Sequence, residues 1–230
     1  YLKNGVAINA VNMPALSPEQ YRALGPYITL AERLGTFASF ISDANPVTVS
    51  FTYSGRIAES NTSLVRNAGL SGLLARSLAS KANLINAMQI AGDRGLNINE
   101  NHQLRQGHVE SIRIEVESSA GKTSVEGAMI LDKPRLLSVD GIYCEAPLDG
   151  HLLYLKNLDV PGVIGYLGTV MGKNGINIAN FSLGREEANP KDHGPVKATA
   201  IISCDGAVPD HVIAQLLENP NIRQARNVEF

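Results

Sequence analysis

The chain has 230 residues, 44% of them hydrophobic and 18% charged, with no tryptophan, a length that suits one large or two modest globular domains. Its net charge of -2 at pH 7 removes the electrostatic reason to expect a nucleic acid or an acidic membrane as partner, and no apolar run approaches the roughly 20 residues that span a bilayer. No secretory signal pattern is read at its start, and its two cysteines, Cys144 and Cys204, stand outside any CxxC pair, so two buried, reduced thiols in a cytoplasmic setting are expected.

Ser17-Pro18-Glu19-Gln20 is a helix-start signal, with a capping residue, a proline and an acid in the first turn. Ile28, Ala31, Leu34, Ala38 and Ile41 then recur at helical spacing and predict a helix to about Ser42. After Asn45-Pro46, the residues Val47, Val49, Phe51 and Tyr53 alternate with Thr48, Ser50 and Thr52, the pattern of a half-buried strand. Leu64, Ala68, Leu70, Leu73, Leu74 and Leu78 predict a second helix from Thr62 to Lys81, despite Gly69 and Gly72. A short strand or turn at Leu84-Ile85, a helix over Ala87 to Asp93 ended by Gly95, and an extended piece from Leu96-Asn97-Ile98 follow. Strands are predicted at Val109–Glu117, Thr123–Leu131, Arg135–Val139 and Ile142–Glu145, with hairpin signals at Ala120-Gly121-Lys122 and Asp140-Gly141. Residues 17–147 thus read as an α+β domain with helices first and an antiparallel sheet later, and Pro147-Leu148-Asp149-Gly150 reads as a linker.

Beyond the linker the elements are a strand 151–158, a helix 161–173, strands 175–185 and 195–204, a helix 209–219 and a strand 222–229, the βαββαβ order of a ferredoxin-like fold. The turn Asn157-Leu158-Asp159-Val160-Pro161-Gly162-Val163-Ile164 carries the chemistry. Proline is tolerated at a first helical position, because that N–H has no intrahelical partner, and Pro161 is assigned there. The amides of Gly162, Val163 and Ile164 then point out of the helix start with partial positive charge, which suits a carboxylate, while Asp159 suits a cation. Bare amides beside a carboxylate fit the zwitterionic head of a free amino acid, so the pattern points to sensing.

The phrase LKNLDVPGVIGYLGTVMGKNGINIANFSLGR resembles the ACT domain of bacterial D-3-phosphoglycerate dehydrogenases, and residues 151–230 are assigned to such a domain. LGTFASFI, YSGRIAESNTSLVRN and RLLSVDGIYCEAP resemble the allosteric substrate-binding domain that precedes it in the longer members. YLKNGVAINAVNMPAL (residues 1–16) resembles the exit segment of their catalytic region, as in a natural fragment or a truncation. The resemblance implies an α+β chain in which an intervening α+β domain is followed by a ferredoxin-like βαββαβ ACT domain. It implies the regulatory part of an NAD-dependent dehydrogenase of serine biosynthesis, with no catalytic residues and no cofactor in this part, and NAD bound by the parent enzyme. It further implies L-serine as effector, bound between ACT domains of a homo-oligomer (dimer or tetramer). The effector contacts would be Asn157, Asp159, Val160, Pro161, Gly162, Val163 and Ile164, with Asn177 reaching in from the neighbouring subunit.

Three weaker signals complete the reading. Lys133 and Arg135 are a candidate anion-binding pair; Ile142, Tyr143 and Pro147 stand where basic residues are expected from the resemblance, which favours solvated surface charge. Gly162, Gly165 and Gly168 do not have the order of a dinucleotide loop, and small residues at this spacing are expected to let the helix lie close on its sheet. The five histidines (His102, His108, His151, His193 and His211) have no metal-ligand spacing. Two other classes remain open: the regulatory portion of an iron–sulfur L-serine dehydratase, for which two lone cysteines supply no cluster ligands, and a dimerisation module without an effector. The polar loop Glu186–Gly194 is longer than a tight hairpin and is expected to be disordered.

Overall fold

The computed structural model describes residues 18–43, 45–77, 82–104, 109–187 and 194–230. The exit segment 1–16 and most of the 186–194 loop lie outside the described residues. The chain forms two compact units that divide between Arg135 and Leu136.

In the first unit, α1 (Pro18–Ile41) and α2 (Ser63–Leu74) pack on one face of a sheet whose strands here run in the order β2-β1-β3-β4. The strands are β1 (Pro46–Ser54), β2 (Asn97–Gln103), β3 (Ser111–Ser118) and β4 (Gly121–Ile130). All five residues that predicted α1 are buried. In β1 the residues Val49, Phe51 and Tyr53 are buried, whereas Val47 is 53% exposed. An irregularity in the pairing with β3 between Pro46 and Thr48 takes Val47 out of the alternation.

The sheet is not purely antiparallel as expected. β1 and β2 pair in parallel, with Thr48 opposite Asn97 and Ser54 opposite Gln103. Parallel strands need a crossover, and α2 with α3 (Ala87–Asp93) supplies it. The second helix stops at Leu74 and tightens into a 3-10 turn at Ala75–Ser77; the predicted continuation through Leu78 lies outside the described residues.

The glycines of α2 have a packing reason. A Cβ on Gly72 would stand 2.1 Å from the Glu32 carbonyl oxygen of α1, and one on Gly35 would stand 2.0 Å from the Gly69 carbonyl oxygen. On its other side Gly69 lies against the Phe51 ring. Backbone therefore meets backbone where α1 crosses α2, and α2 is buried along most of its length.

β4 turns through Leu131 and Asp132, both at positive φ (50° and 58°), into β5 (Lys133–Val139). Asp140 and Gly141 (φ 51° and 80°) then turn β5 into β6 (Ile142–Pro147). Both are two-residue hairpin turns of the kind that match strand twist.

The second unit continues with β7 (His151–Leu158), α4 (Val163–Lys173), β8 (Ile178–Arg185), β9 (Lys197–Cys204), α5 (Asp210–Leu217) and β10 (Ile222–Glu229). Its sheet has the antiparallel order β10-β7-β9-β8, which with βαββαβ connectivity is the ferredoxin-like fold. Leu153, Leu155, Ala200, Ile202 and Ala225 on one face form a core with Leu167, Val170 and Met171 of α4 and Val212 and Leu216 of α5. The opposite face is covered as well: β6 lies against β8 and β9, so closely at one point that a Cβ on Gly184 would stand 1.9 Å from the Tyr143 carbonyl oxygen.

Cys144 and Cys204 are both free and buried, as expected. Burial pushes the Cys144 thiol up to about 12 and the Cys204 thiol up to about 11, so both stay protonated near neutrality. No helix among the described residues is long and apolar enough to cross a membrane.

Gly72→Ala is expected to force α1 and α2 apart and to lower unfolding stability by about 3 kcal/mol, the range of an overpacked core. Gly92→Ala in α3, where a Cβ meets nothing within 4 Å, is expected to leave stability unchanged or raise it by up to about 1 kcal/mol. Urea denaturation of the two variants checks the contrast.

Candidate functional site

The candidate site is built on the turn between β7 and α4. β7 enters it buried, and its end is tied down twice, by Leu158 N–H to the Asn221 carbonyl (2.8 Å) and Asp159 N–H to the Val196 carbonyl (2.8 Å). Val160 N–H turns back to the Leu158 carbonyl at 3.0 Å, so this amide is spent inside the turn. Pro161 is not the first helical residue, contrary to expectation. Gly162 is the N-cap, at φ 94° and ψ -19°, and α4 begins at Val163. The left-handed conformation that closes this turn is one that glycine alone adopts without steric cost.

The first intrahelical bond runs from Tyr166 N–H to the Gly162 carbonyl at 2.8 Å. The amides of Val163, Ile164 and Gly165 are thus the orphan donors of the first turn. The N-cap residue Gly162 has no side chain to cap them, and no acid lies in that turn. Gly165, absent from the expected set, joins it because the helix starts later than Pro161. Bare amides at a helix start are a ready site for a carboxylate.

Asp159, four residues ahead of α4, is not free. Its Oδ2 accepts a hydrogen bond from Arg185 Nη1 at 3.2 Å, in an ion pair whose arginine side chain is 74% exposed. Asn157 shares the face of Leu153 and Leu155, is buried, and donates from Nδ2 to the Leu158 carbonyl at 2.9 Å. Its amide is committed to the backbone, which sets it below the turn as support.

Asn177 lies elsewhere. It immediately precedes β8, and its Nδ2 donates to Asp205 Oδ2 at 3.0 Å. Arg185, beside Asp159, is the last residue of β8. Eight residue steps therefore separate the two, about 25 Å of extended chain. One copy of the chain holds Asp159 with the helix amides at one end of edge strand β8 and Asn177 at the other.

The glycine stripe also departs from expectation. A Cβ on Gly162, Gly165 or Gly168 would meet nothing within 4 Å, so these residues do not bring α4 close to the sheet. Gly165 and Gly168 lie on its exposed side, beside Ile164 at 53% exposure.

In the first unit, Lys133 and Arg135 occupy alternate positions of β5 and so share a face. The phrase YSGRIAESNTSLVRN has a different centre. Tyr53 Oη (3.1 Å), Thr62 Oγ1 (3.0 Å) and Arg66 Nη1 (2.7 Å) all donate to the carboxylate of Glu100 on β2. Arg66 also holds Asn67 Oδ1 (3.1 Å), whose Nδ2 donates to the Leu84 carbonyl at 2.8 Å. Burial first, and the Glu100 charge second, push the Tyr53 phenol well above its ordinary range. The network locks β1, β2 and α2 together. No group of three metal-ligating side chains occurs among the described residues.

The intervening domain of D-3-phosphoglycerate dehydrogenase matches residues 23–140, just over half of the 230 residues. The chain belongs to that family. It is 36% identical over 222 residues to the D-3-phosphoglycerate dehydrogenase of Methanocaldococcus jannaschii, covering 96% of this chain and 41% of that protein. It is 32% identical to that of Archaeoglobus fulgidus (96% and 42%) and 27% identical to that of Bacillus subtilis (100% and 43%). The chain thus spans about two fifths of the length of these phosphoglycerate dehydrogenases. The family match runs from within α1 to the turn after β5 and ends ahead of the βαββαβ unit, which the alignments with the full-length relatives cover.

Gly162→Ala tests the turn on its own. The space is open and the strain is only in the backbone, so the variant is expected to lose about 1–2 kcal/mol of stability in thermal or urea unfolding, with no change in the dimension of the core.

Proposed function

We propose that this chain is the regulatory portion of an NAD-dependent D-3-phosphoglycerate dehydrogenase of serine biosynthesis, and that its βαββαβ unit is an ACT domain that binds L-serine between two copies. The observation that carries the reading is the split between Asp159 with the uncapped amides of Val163 to Gly165 at one end of β8 and Asn177 at the other. Among the described residues β8 is an edge strand, paired on one side only, by β9. If two β8 strands pair antiparallel about a two-fold axis centred on Phe181 and Ser182, each Asn177 is carried to the Asp159 end of the other copy. Such a seam would join two sheets into one and cover exposed apolar side chains such as Ile164 and Leu183.

Serine fits the chemistry of the completed site. Its carboxylate accepts from the α4 amides, with the helix dipole in support. Its ammonium meets Asp159 and the other copy's Asn177. A ligand that bridges the seam favours the joined arrangement, and in the full-length cytoplasmic enzyme it would shift the population between two states of different activity. The substrate chemistry and NAD belong to the remaining three fifths of such a protein, and this portion acts on them only through that coupling.

Calorimetric titration of the purified chain with L-serine checks the reading, alongside Asp159→Ala and Asn177→Ala. Saturable heat is expected, with each substitution weakening affinity at least about tenfold, or 1.4 kcal/mol. Absence of heat with serine would overturn the ligand assignment and leave a module that only assembles subunits.

A further inference from the structure

We infer that Asp205, at the end of β9, is a positioning residue for effector recognition: it fixes which end of the Asn177 amide faces the ligand. The inference rests on the serine reading above and deepens it. Asn177 Nδ2 donates to Asp205 Oδ2 at 3.0 Å. A carboxylate only accepts hydrogen bonds, whereas an asparagine amide has a donor end and an acceptor end that are nearly the same in shape. Asp205 therefore holds the NH2 end toward itself and turns the carbonyl Oδ1 outward.

The orientation decides the chemistry of the half-site. An outward Oδ1 accepts from an ammonium and repels a carboxylate. An outward NH2 would do the reverse and set a donor against the cation that Asp159 attracts. With Asp205 present, the ammonium of a zwitterion meets two acceptors, Asp159 and Asn177 Oδ1, and its carboxylate is left to the α4 amides. The site thereby distinguishes an α-amino acid from the α-hydroxy acid of the same shape, whose hydroxyl carries no charge and offers a single proton to two acceptors. Asp205 itself touches no ligand in this arrangement; it acts through Asn177.

The test compares L-serine with L-glycerate, which has a hydroxyl in place of the ammonium, by calorimetry on the whole chain and on Asp205→Ala, Asp205→Asn and Asn177→Ala. Asp205→Ala is expected to weaken serine binding about five- to tenfold, to narrow the serine-to-glycerate ratio by a similar factor, and to leave the thermal midpoint unchanged. Asp205→Asn, whose own amide can present either its carbonyl or its NH2 to Asn177, no longer fixes the orientation and is expected to lose selectivity as Asp205→Ala does. If Asp205→Ala binds serine with unchanged affinity and selectivity while Asn177→Ala loses it, the positioning role is wrong and the serine site stands. If Asp205→Asn keeps the affinity and selectivity of the unaltered chain, an acceptor-only partner is not what sets the Asn177 amide, and the inference is likewise overturned. If the unaltered chain binds no serine, it is the underlying reading that fails.

Discussion

Strand β7 has to be held in one register, because the whole candidate site hangs from its last residue. Its central run Leu152-Leu153-Tyr154-Leu155 is buried on both faces, so apolar alternation cannot set that register as it does for a strand with one wet face. Polar groups at its end do so instead. Lys156 Nζ meets Asp140 Oδ2 at 2.8 Å, and the neighbouring Asn157 places its side chain under the turn with Nδ2 on the Leu158 carbonyl. A slip by one residue would bring Lys156 to the helix-facing side, into a core of Leu167, Met171 and Leu216, an unpaired charge in an apolar interior. Asp159 is fixed relative to α4 because that alternative is closed.

The elements themselves were largely legible. α1 could be read because one helical stripe is buried along its length, and the βαββαβ unit because short apolar runs alternate with two helical patterns. The parallel pairing of β1 and β2 was missed although its signal was present: more than forty residues holding two helical patterns separate the strands, too long for a hairpin and right for a crossover. Gly69 and Gly72 looked like flaws in a helix, since sequence records the lost propensity and not the neighbour that makes the loss worthwhile. The opposite error arose on α4, where spacing suggested contact and the glycines face open space.

The site was legible as a list and not as an arrangement. Asp159, Asn177 and the helix amides could be named from residue type and resemblance, but their engaged partners lie 26 and 28 residues away in sequence. No local pattern links Arg185 to Asp159 or Asp205 to Asn177; the sheet brings them together, the latter pair at the ends of antiparallel β8 and β9 and the former at the same end of β8 and β7, which flank β9. The start of α4 was misjudged by two residues for a local reason. Proline fits a first helical position, yet it fits equally well in the turn before, and the left-handed residue that decides between them is the following glycine.

The pair on Asp159 bears on how readily an effector could enter. Arg185 makes one contact at 3.2 Å from a largely exposed side chain, and exposed pairs of this kind are worth about 1 kcal/mol or less. Displacing or sharing it therefore costs little beside a charge-assisted bond to an ammonium. Among the described residues the pair engages only one carboxylate oxygen of Asp159, so sharing needs no rupture. On the proposed reading, a ligand on a single copy is limited by the missing half of the site: with Asn177 about 25 Å along the strand, a zwitterion bound there would leave part of its ammonium to water. On the proposed reading the remaining contacts arrive with the second chain, so affinity and association are one equilibrium. A ligand that gains contacts on pairing must strengthen pairing by the same factor, so under that proposal an edge strand that would otherwise be a liability would be the part through which the effector is felt.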